Sequence, residues 1–344
     1  MAEEAEKVTL KQTRSTFAFK GRITNFDETK PIEGKTSKGN PMRTLIFNIE
    51  TAEGHIHKMQ LRAYQRDKVY FSKFNKDNKD KKSDIQEVKW EDRFTLDKEY
   101  LPMDRVTYHK GKDDKGKEVS VTALTFDAIP DIAQEFKVGD IVRVVGNIEI
   151  KEFEGRDGNM SNYVTLIPTR IFHSSDLDFE SEKFQECANF TSQFLIESAE
   201  KTGTKELTVT GISIGNRVIG RQDYIFRDKA YDAYEAFIRD EANHKYTAII
   251  ANGILVNATE AEDKKEEYIT TRTGKKIPKI SRTTVKSFVR EFVVSEVVSE
   301  DGFIDYDTYT EDNVQEFIND CIRARQEFGK STTDETVKEE DFIF

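Results

Sequence analysis

The chain is poor in the residues that make stapled scaffolds, metal centres and membrane spans. Of its 344 residues only two are cysteine, Cys187 and Cys321, six are proline and one is tryptophan. Two cysteines cannot build a disulfide framework and no Cys-x-x-Cys pair exists, so reduced thiols in a cytoplasm are the simpler reading. The five histidines, His55, His57, His109, His173 and His244, form no H-E-x-x-H or H-x-E pattern, and no metal or other cofactor is expected. The longest apolar stretch, Ala248 to Val256, is broken by Asn252 and Gly253. A membrane span needs about 20 apolar residues, so no membrane partner is expected. Met1-Ala2-Glu3-Glu4 offers neither a basic nor an apolar leader, so no secretion signal is expected.

Enzyme signatures are also scarce. Gly111 to Glu118 has the glycine and lysine spacing of a phosphate loop, but Glu118 stands where a magnesium-holding Ser or Thr is required. Gly211-Ile212-Ser213-Ile214-Gly215 fits G-x-S-x-G, yet loop and strand patterns follow it where a nucleophile elbow needs a helix. An EF-hand loop read from Asp305 fails at Thr310, where glycine is needed, and at Tyr309, where a ligand is needed. The expectation is a non-enzymatic protein with no catalytic residue; scattered carboxylates leave a nuclease as a rival.

What is present is charge and aromatic rings. The formal net charge is −11, with 24 Phe and 12 Tyr. The acidity is uneven: residues 1–174 hold 31 Lys and Arg against 29 Asp and Glu, and residues 175–344 hold 22 against 35. A near-neutral half leaves room for a basic face directed at nucleic acid; an acidic surface can also serve solubility alone.

Alternating patterns dominate. Phe17, Phe19 and Ile23 alternate with Lys20, Arg22 and Thr24 around Gly21; Leu45, Phe47 and Ile49 with Thr44, Ile46 and Asn48; and His57, Met59, Leu61 and Ala63 with Lys58, Gln60, Arg62 and Tyr64. Period two with one apolar face is the mark of half-buried strands. Two segments repeat one order: a Gly-bent strand, further strands, a short helix, a second Gly-bent strand, a loop and a returning strand. That order resembles the OB-fold, a five-stranded Greek-key barrel. The expected fold is therefore mainly β with a few helices, as two tandem OB-like barrels plus a C-terminal helix and an acidic tail. The boundaries are a flexible arm over 1–13, a nucleic-acid-binding domain over 14–174 with a partly mobile polar insertion at 66–118, and a helical linker over 175–203 with its helix from Phe184 to Ala199. A second domain over 204–330 and a tail over 331–344 complete the chain. A sandwich or jelly roll is the rival all-β reading.

Single strands bind through cations that follow the backbone and rings that stack on bases. The outward phase of the first barrel offers Lys20, Arg22, Phe26, Lys58, Arg62 and Tyr64, and the flanking loops offer Lys35, Lys38, Lys151, Phe153, Arg156 and Tyr163. Trp90 joins them from the insertion, where Tyr70, Phe71, Phe74, Phe94, Tyr100 and Tyr108 also lie among lysines. An ordinary solvated sheet face and a small satellite core would show the same patterns. The C-terminus, Glu339-Glu340-Asp341-Phe342-Ile343-Phe344, joins an acidic stem to an apolar tip that a solubilising tail does not need.

That tip resembles the acidic, phenylalanine-ended tail of bacterial and phage single-stranded DNA-binding proteins. The run Val138-Gly139-Asp140-Ile141-Val142-Arg143-Val144-Val145-Gly146 resembles a strand of their OB-folds. The resemblance covers the tail and residues 14–174. It implies a phage-type protein that coats and protects single-stranded DNA, with RNA as the other candidate strand. It further implies recruitment of replication, recombination or repair proteins through Glu339 to Phe344. The acidic second domain is expected to serve protein contacts or self-assembly as a homo-oligomer, and the expected location is the cytoplasm, the host's if the chain is viral. The chain departs from that family in lacking a long Gly/Gln/Pro-rich linker and in having Ile343 where proline is usual. A viral structural or assembly protein that binds no nucleic acid is the alternative.

Overall fold

The computed structural model describes residues 10–27, 32–36, 38–73, 84–154, 160–175, 177–232, 234, 246–260, 268–270, 276–278, 287–298 and 308–333. The fold is mainly β with few helices, and thirteen strands join in one hydrogen-bonded network. The alternation explains this directly. In β4 (His55–Tyr64), His57, Met59, Leu61 and Ala63 are buried while Lys58 and Tyr64 face out. Each buried Phe, Leu or Ile contributes roughly 1.5–3 kcal/mol, and Phe19, Phe47, Ile49 and Leu61 are all sealed in the same core.

Two sets of five strands return on themselves. In the first, β1 (Ser15–Phe26) pairs with β3 (Pro41–Ala52) and β3 with β4. Then β4 meets β11 (Met160–His173) in parallel, with Met59 opposite Leu166; β11 pairs with β10 (Ile141–Glu154), and β10 pairs with β1. In the second, β12 (Cys187–Gly203) pairs with β13 (Glu206–Ile214) and β13 with β14 (Ile219–Arg227). Here β14 meets β18 (Ser287–Val297) in parallel, β18 pairs with β15 (Ala248–Glu260), and β15 pairs with β12. A helix precedes the fourth strand of each ring: α1 (Thr125–Glu135) in the first, a helical turn at residues 228–232 in the second.

The rings are fused along their first strands. β1 and β12 run antiparallel with Phe17 opposite Phe190, as a local two-fold axis between those rings would place them. Ser15 and Ser192 hydroxyls meet across this seam at 2.6 Å, and Ser192 reaches the Tyr224 hydroxyl at 2.7 Å. Each Phe faces a glycine of its own ring's fourth strand, at a bulge. A Cβ on Gly146 would lie 2.1 Å from the Ile167 carbonyl oxygen and 2.7 Å from the Phe17 ring; one on Gly253 would lie 2.1 Å from the Val293 carbonyl oxygen and 2.8 Å from Phe190. Gly146→Ala is therefore expected to cost about 3 kcal/mol, the upper range for overpacking, read as a lowered urea midpoint. An unchanged midpoint would contradict the close approach.

Several expectations are corrected. The linker helix from Phe184 to Ala199 is not a helix: Cys187–Gly203 is a 17-residue strand that opens the second ring. Phe190 and Phe194 suit a helical repeat, but Ala188, Phe190, Ser192 and Phe194 are all buried, which is period two, and pairing on both edges decides it. The described parts of the insertion at 66–118 carry regular strands. β5 (Lys68–Lys73), β6 (Asp84–Lys89) and β7 (Leu101–Pro102) form a small sheet, and β8 (Arg105–Lys112) joins the large network beside β11. Phe71, Trp90 and Tyr108 belong to the core, because aromatic side chains add apolar area that the ring can cover. Residues 74–83 of that segment lie outside the described residues. The arm over 1–13 is pinned at its end: Leu10 packs beside Val314, Phe317, Ile318 and Cys321 of the C-terminal helix (Glu311–Thr333), and Thr13 donates its amide to the Ile214 carbonyl at 3.0 Å. Both cysteines are free thiols. Among the described residues no helix is long and apolar enough to cross a membrane, and no group of three His, Cys, Asp or Glu could hold a metal.

Candidate nucleic-acid interface

A groove of about 520 Å³ opens where the hairpin of β2 (Glu33–Lys35) and β3, the helical turn Trp90–Asp92 and the start of α1 converge. Lys35, Met42, Arg43, Trp90, Arg93 and Phe126 line it. The hairpin is set by Lys35 opposite Pro41 and by Gly39, whose φ of 83° favours glycine, and it carries Lys38 at its turn. The Trp90 amide donates to the Asp67 carbonyl at 3.0 Å, which fixes the turn beneath the groove.

The rings and guanidinium groups form a ladder. The Arg43 guanidinium lies 4.3 Å from the Phe126 ring centre; Phe126 meets Trp90 edge to face at 5.1 Å; and Arg93 lies 4.3 Å from Trp90 and 4.2 Å from Phe94. Both arginines are held in plane. Arg43 donates to the Phe126 carbonyl at 3.0 Å and to Glu33 at 2.9 Å. Arg93 donates to both Asp127 oxygens at 2.9 and 3.1 Å and to the Trp90 carbonyl at 2.8 Å. The forked Arg93–Asp127 pair and the two single bonds of Arg43 fix each guanidinium through its edge, leaving its flat faces to the rings. The outer rung is Phe94, 71% exposed, whereas Trp90 is 8% exposed. A single exposed ring is ordinary on a protein surface, but one held against a pinned arginine beside a groove presents a π face on which another ring can stack.

The residues named from the sequence fall in four places. Lys35 and Trp90 line the groove, Lys38 sits on its hairpin, and Tyr64 is opposite Met42, which lines it. Arg62 is next along β4, opposite Thr44. Lys58 and Tyr163 line a separate cavity between the rings. Lys20 lies on the β1 face opposite Arg143 and Cys187, and Arg22 packs 5.2 Å from the Phe179 ring. Phe26 is half-buried against Phe47 at 5.8 Å, Lys151 pairs with Glu149 at 2.9 Å, and Phe153 is exposed near the end of β10. Arg156 and the tail residues Glu339, Glu340, Asp341, Phe342, Ile343 and Phe344 lie outside the described residues. The structure therefore gathers part of the set and disperses the rest.

Arg43, Arg93 and Phe126 were not singled out from the sequence. Arg43 carried a readable signal: it is in phase with Leu45, Phe47 and Ile49, so a charge occupies the buried phase of a strand at its open end. Arg93 sits between Trp90 and Phe94, a Trp-x-x-Arg-Phe run that puts a cation between two rings.

The chain matches the YorF family over residues 15–334. It belongs to the YorF family. That name carries no activity with it. No curated protein matches the YorF chain. Among solved structures it is similar to the wild-type single-stranded DNA binding protein of Thermus aquaticus, at 11% identity and a TM-score of 0.37, covering 83% of this chain and 93% of that one. A deletion mutant of the same protein gives 9% identity and a TM-score of 0.36, covering 83% and 94%.

One buried titratable group sits beside the cavity between the rings. Burial first, then the charges of His55 and Arg290, pull His57 down from 6.5 to about 3. The unfolded chain takes up this proton near pH 6.5 and the folded chain holds it off until about pH 3. Stability from the neutral imidazole is thus whole above pH 6.5 and drains as pH falls toward 3. From about pH 7 to about pH 5 the urea midpoint is expected to decline, with His57 contributing up to about 1.4 kcal/mol per pH unit. A flat profile would contradict it.

Proposed function

We propose that this YorF-family chain binds unpaired nucleic acid, single-stranded DNA in the first instance, along the groove of its first ring. The observation that carries the reading is the ladder of Phe94, Arg93, Trp90, Phe126 and Arg43, whose inner rungs line an open groove and whose outer rung, Phe94, is exposed beside it. Every base has a π face, so such a ladder would accept a strand without reading its sequence, at about 1–3 kcal/mol per stacked base. Lys35, Lys38 and Arg62 beside it would meet the phosphates. Among the described residues neither Lys35 nor Lys38 forms an ion pair.

We read each ring as an OB-type barrel. The strand order of each, first to second to third to fifth to fourth and back, with a parallel contact between third and fifth and a helix before the fourth, supports that reading. The first unit, residues 14–174, is proposed to take the strand. The second, beginning with β12 and running to residue 330, is proposed to serve protein contacts or self-association, consistent with the acidic charge of residues 175–344. The resemblance of Glu339 to Phe344 to phage tails supports recruitment of replication or recombination partners, and a phage-type protein working in a host cytoplasm. The reading assigns no catalytic residue.

A fluorescence-anisotropy titration with a labelled dT oligomer tests the reading. Three phosphate contacts predict a slope of log affinity on log salt near −2, since each releases about 0.7 counterion from a single strand. Absence of binding at low salt would discard it, and Mg²⁺-dependent loss of the oligomer would put a nuclease in its place. Deleting residues 334–344 is expected to preserve or raise dT affinity, because an acidic segment competes for the same cations, and to abolish capture of partners. Loss of dT affinity on deletion would give the tail a structural role.

A further inference from the structure

The cavity between the rings, about 100 Å³, has the volume of about three waters, which suits a small ion and is too little for a nucleoside. It lies where β4 of the first ring meets β15 and β18 of the second. Lys58 and Arg290 come to it from the two rings, Tyr163 brings a hydroxyl, and Leu166 and Leu255 supply an apolar wall. No carboxylate lines it, and among the described residues neither Lys58 nor Arg290 forms an ion pair. Lys58, Arg290 and Tyr163 are all exposed, so the cavity is reached from solvent. The local two-fold axis supplies a comparison. At the equivalent junction, β14 against β10, Arg221 is clamped at 2.7 Å by both Glu152 and Glu197. One junction is internally neutralised; the other turns two cations toward one space with no carboxylate between them.

An unpaired lysine is ordinary on a surface, but the arginine is not placed like one. Arg290 is exposed as a whole residue, yet its charged end is desolvated enough to pull its pKa below the ordinary value, with only the Tyr163 hydroxyl acting against that. A guanidinium that has shed part of its water gains more from an anion than one in bulk solvent, because the apolar wall weakens screening. His57 also lines the cavity, but it is 1% exposed and uncharged at neutral pH, so the charge of the site is that of Lys58 and Arg290. Tyr163 is available to donate. The Gln60 amide is best satisfied with its oxygen toward Arg62, at 3.0 and 3.3 Å, which turns its NH₂ toward the Tyr163 oxygen at 3.5 Å and frees the phenol proton. Two cations and a free O–H donor around one small space are the donors that a phosphate oxygen cluster accepts from.

We propose that this cavity binds a tetrahedral oxyanion of the phosphate class, with Lys58 and Arg290 meeting its charge and the Tyr163 hydroxyl donating to one of its oxygens. Its source is either inorganic phosphate from solution or one backbone phosphate of a bound strand. Lys58, Arg62 and Tyr64 share the outward phase of β4, and Tyr64 lies opposite Met42 of the groove. From Tyr64 to Lys58 is about 20 Å at roughly 3.3 Å per residue, so a strand in the groove can extend along β4 to the cavity. The site does not rest on the groove reading, since inorganic phosphate can enter whatever lies in the groove.

Calorimetric titration of the full chain with inorganic phosphate tests it, with sodium chloride at matched ionic strength as the control. Saturable binding at or below about 1 mM is expected, and the melting temperature is expected to rise in phosphate and not in chloride. Lys58→Ala, at an exposed position, is expected to weaken phosphate about tenfold through one lost charge-assisted contact. Lys58→Glu sets a carboxylate beside the arginine of this junction, as Glu152 stands beside Arg221 at the other, and is expected to abolish phosphate binding while the protein stays folded in chloride. Displacement of phosphate by a dT oligomer would assign the site to a strand's backbone, and independence to the free ion; both uphold it. A protein that binds phosphate but no dT would discard the groove reading and keep this one. No saturable phosphate binding, equal binding to the Lys58→Ala protein, or equal stabilisation by chloride would overturn it.

Discussion

Replacing Phe94 by Ala is expected to weaken binding of a dT oligomer about tenfold, which corresponds to about 1.4 kcal/mol for one lost stacking partner, while the melting temperature stays where it was. The separation of the two readouts follows from where Phe94 sits. At 71% exposed it contributes little to the core, so its removal leaves no cavity. Its contact is with the Arg93 guanidinium, which Asp127 and the Trp90 carbonyl continue to hold. Arg93→Ala is expected to act on both readouts, because it frees Phe94 and leaves the largely buried Asp127 carboxylate without its forked partner. A Phe94→Ala protein that binds dT as the parent does would remove the outer rung from the interface.

A stability effect as large as that at Gly146 is expected where β14 of the second ring meets β10 of the first. The Arg221 guanidinium joins Glu152 of the first ring to Glu197 of the second, and the Glu152 side chain is only 5% exposed while Arg221 is 32% exposed. Arg221→Ala would strand a buried carboxylate, at a cost of about 3 kcal/mol; the lower end of the usual range applies because the guanidinium is a third exposed. The midpoint of urea unfolding is expected to fall accordingly. Adding Glu152→Gln should recover part of the loss, since the amide carries no unpaired charge. Failure of the second substitution to recover any stability would show that the pair does not act as a buried charge.

The strands were legible because their alternation is local. β1, β3 and β4 declare themselves in Phe17, Phe47 and Met59 with their neighbours, and the glycines that permit close approach are visible as Gly146 and Gly253. The seam was not legible. Nothing within residues 187–203 says that Phe190 lies opposite Phe17, because that pairing is a tertiary choice between edges, and the same phenylalanines satisfy a helical spacing. The groove was half legible for a related reason. Lys35, Lys38, Tyr64 and Trp90 could be named from phase and composition, but the ladder depends on Arg43 and Arg93 being pinned by Glu33 and Asp127, partners 10 and 34 residues away. Lys20 and Arg22 share the outward phase of the same ring of strands, yet they lie on β1 and away from the groove lining; a closed ring has outward residues on every side.

The most direct measurement is a photo-crosslink with an oligomer carrying 5-iodouracil, followed by mass spectrometry of the adducted peptides. An unpaired strand stacked in the groove should attach to Phe94 or Trp90, and attachment should disappear with Arg93→Ala. Adducts confined to the second ring, or their absence while dT still binds, would contradict the placement of the strand on this ladder.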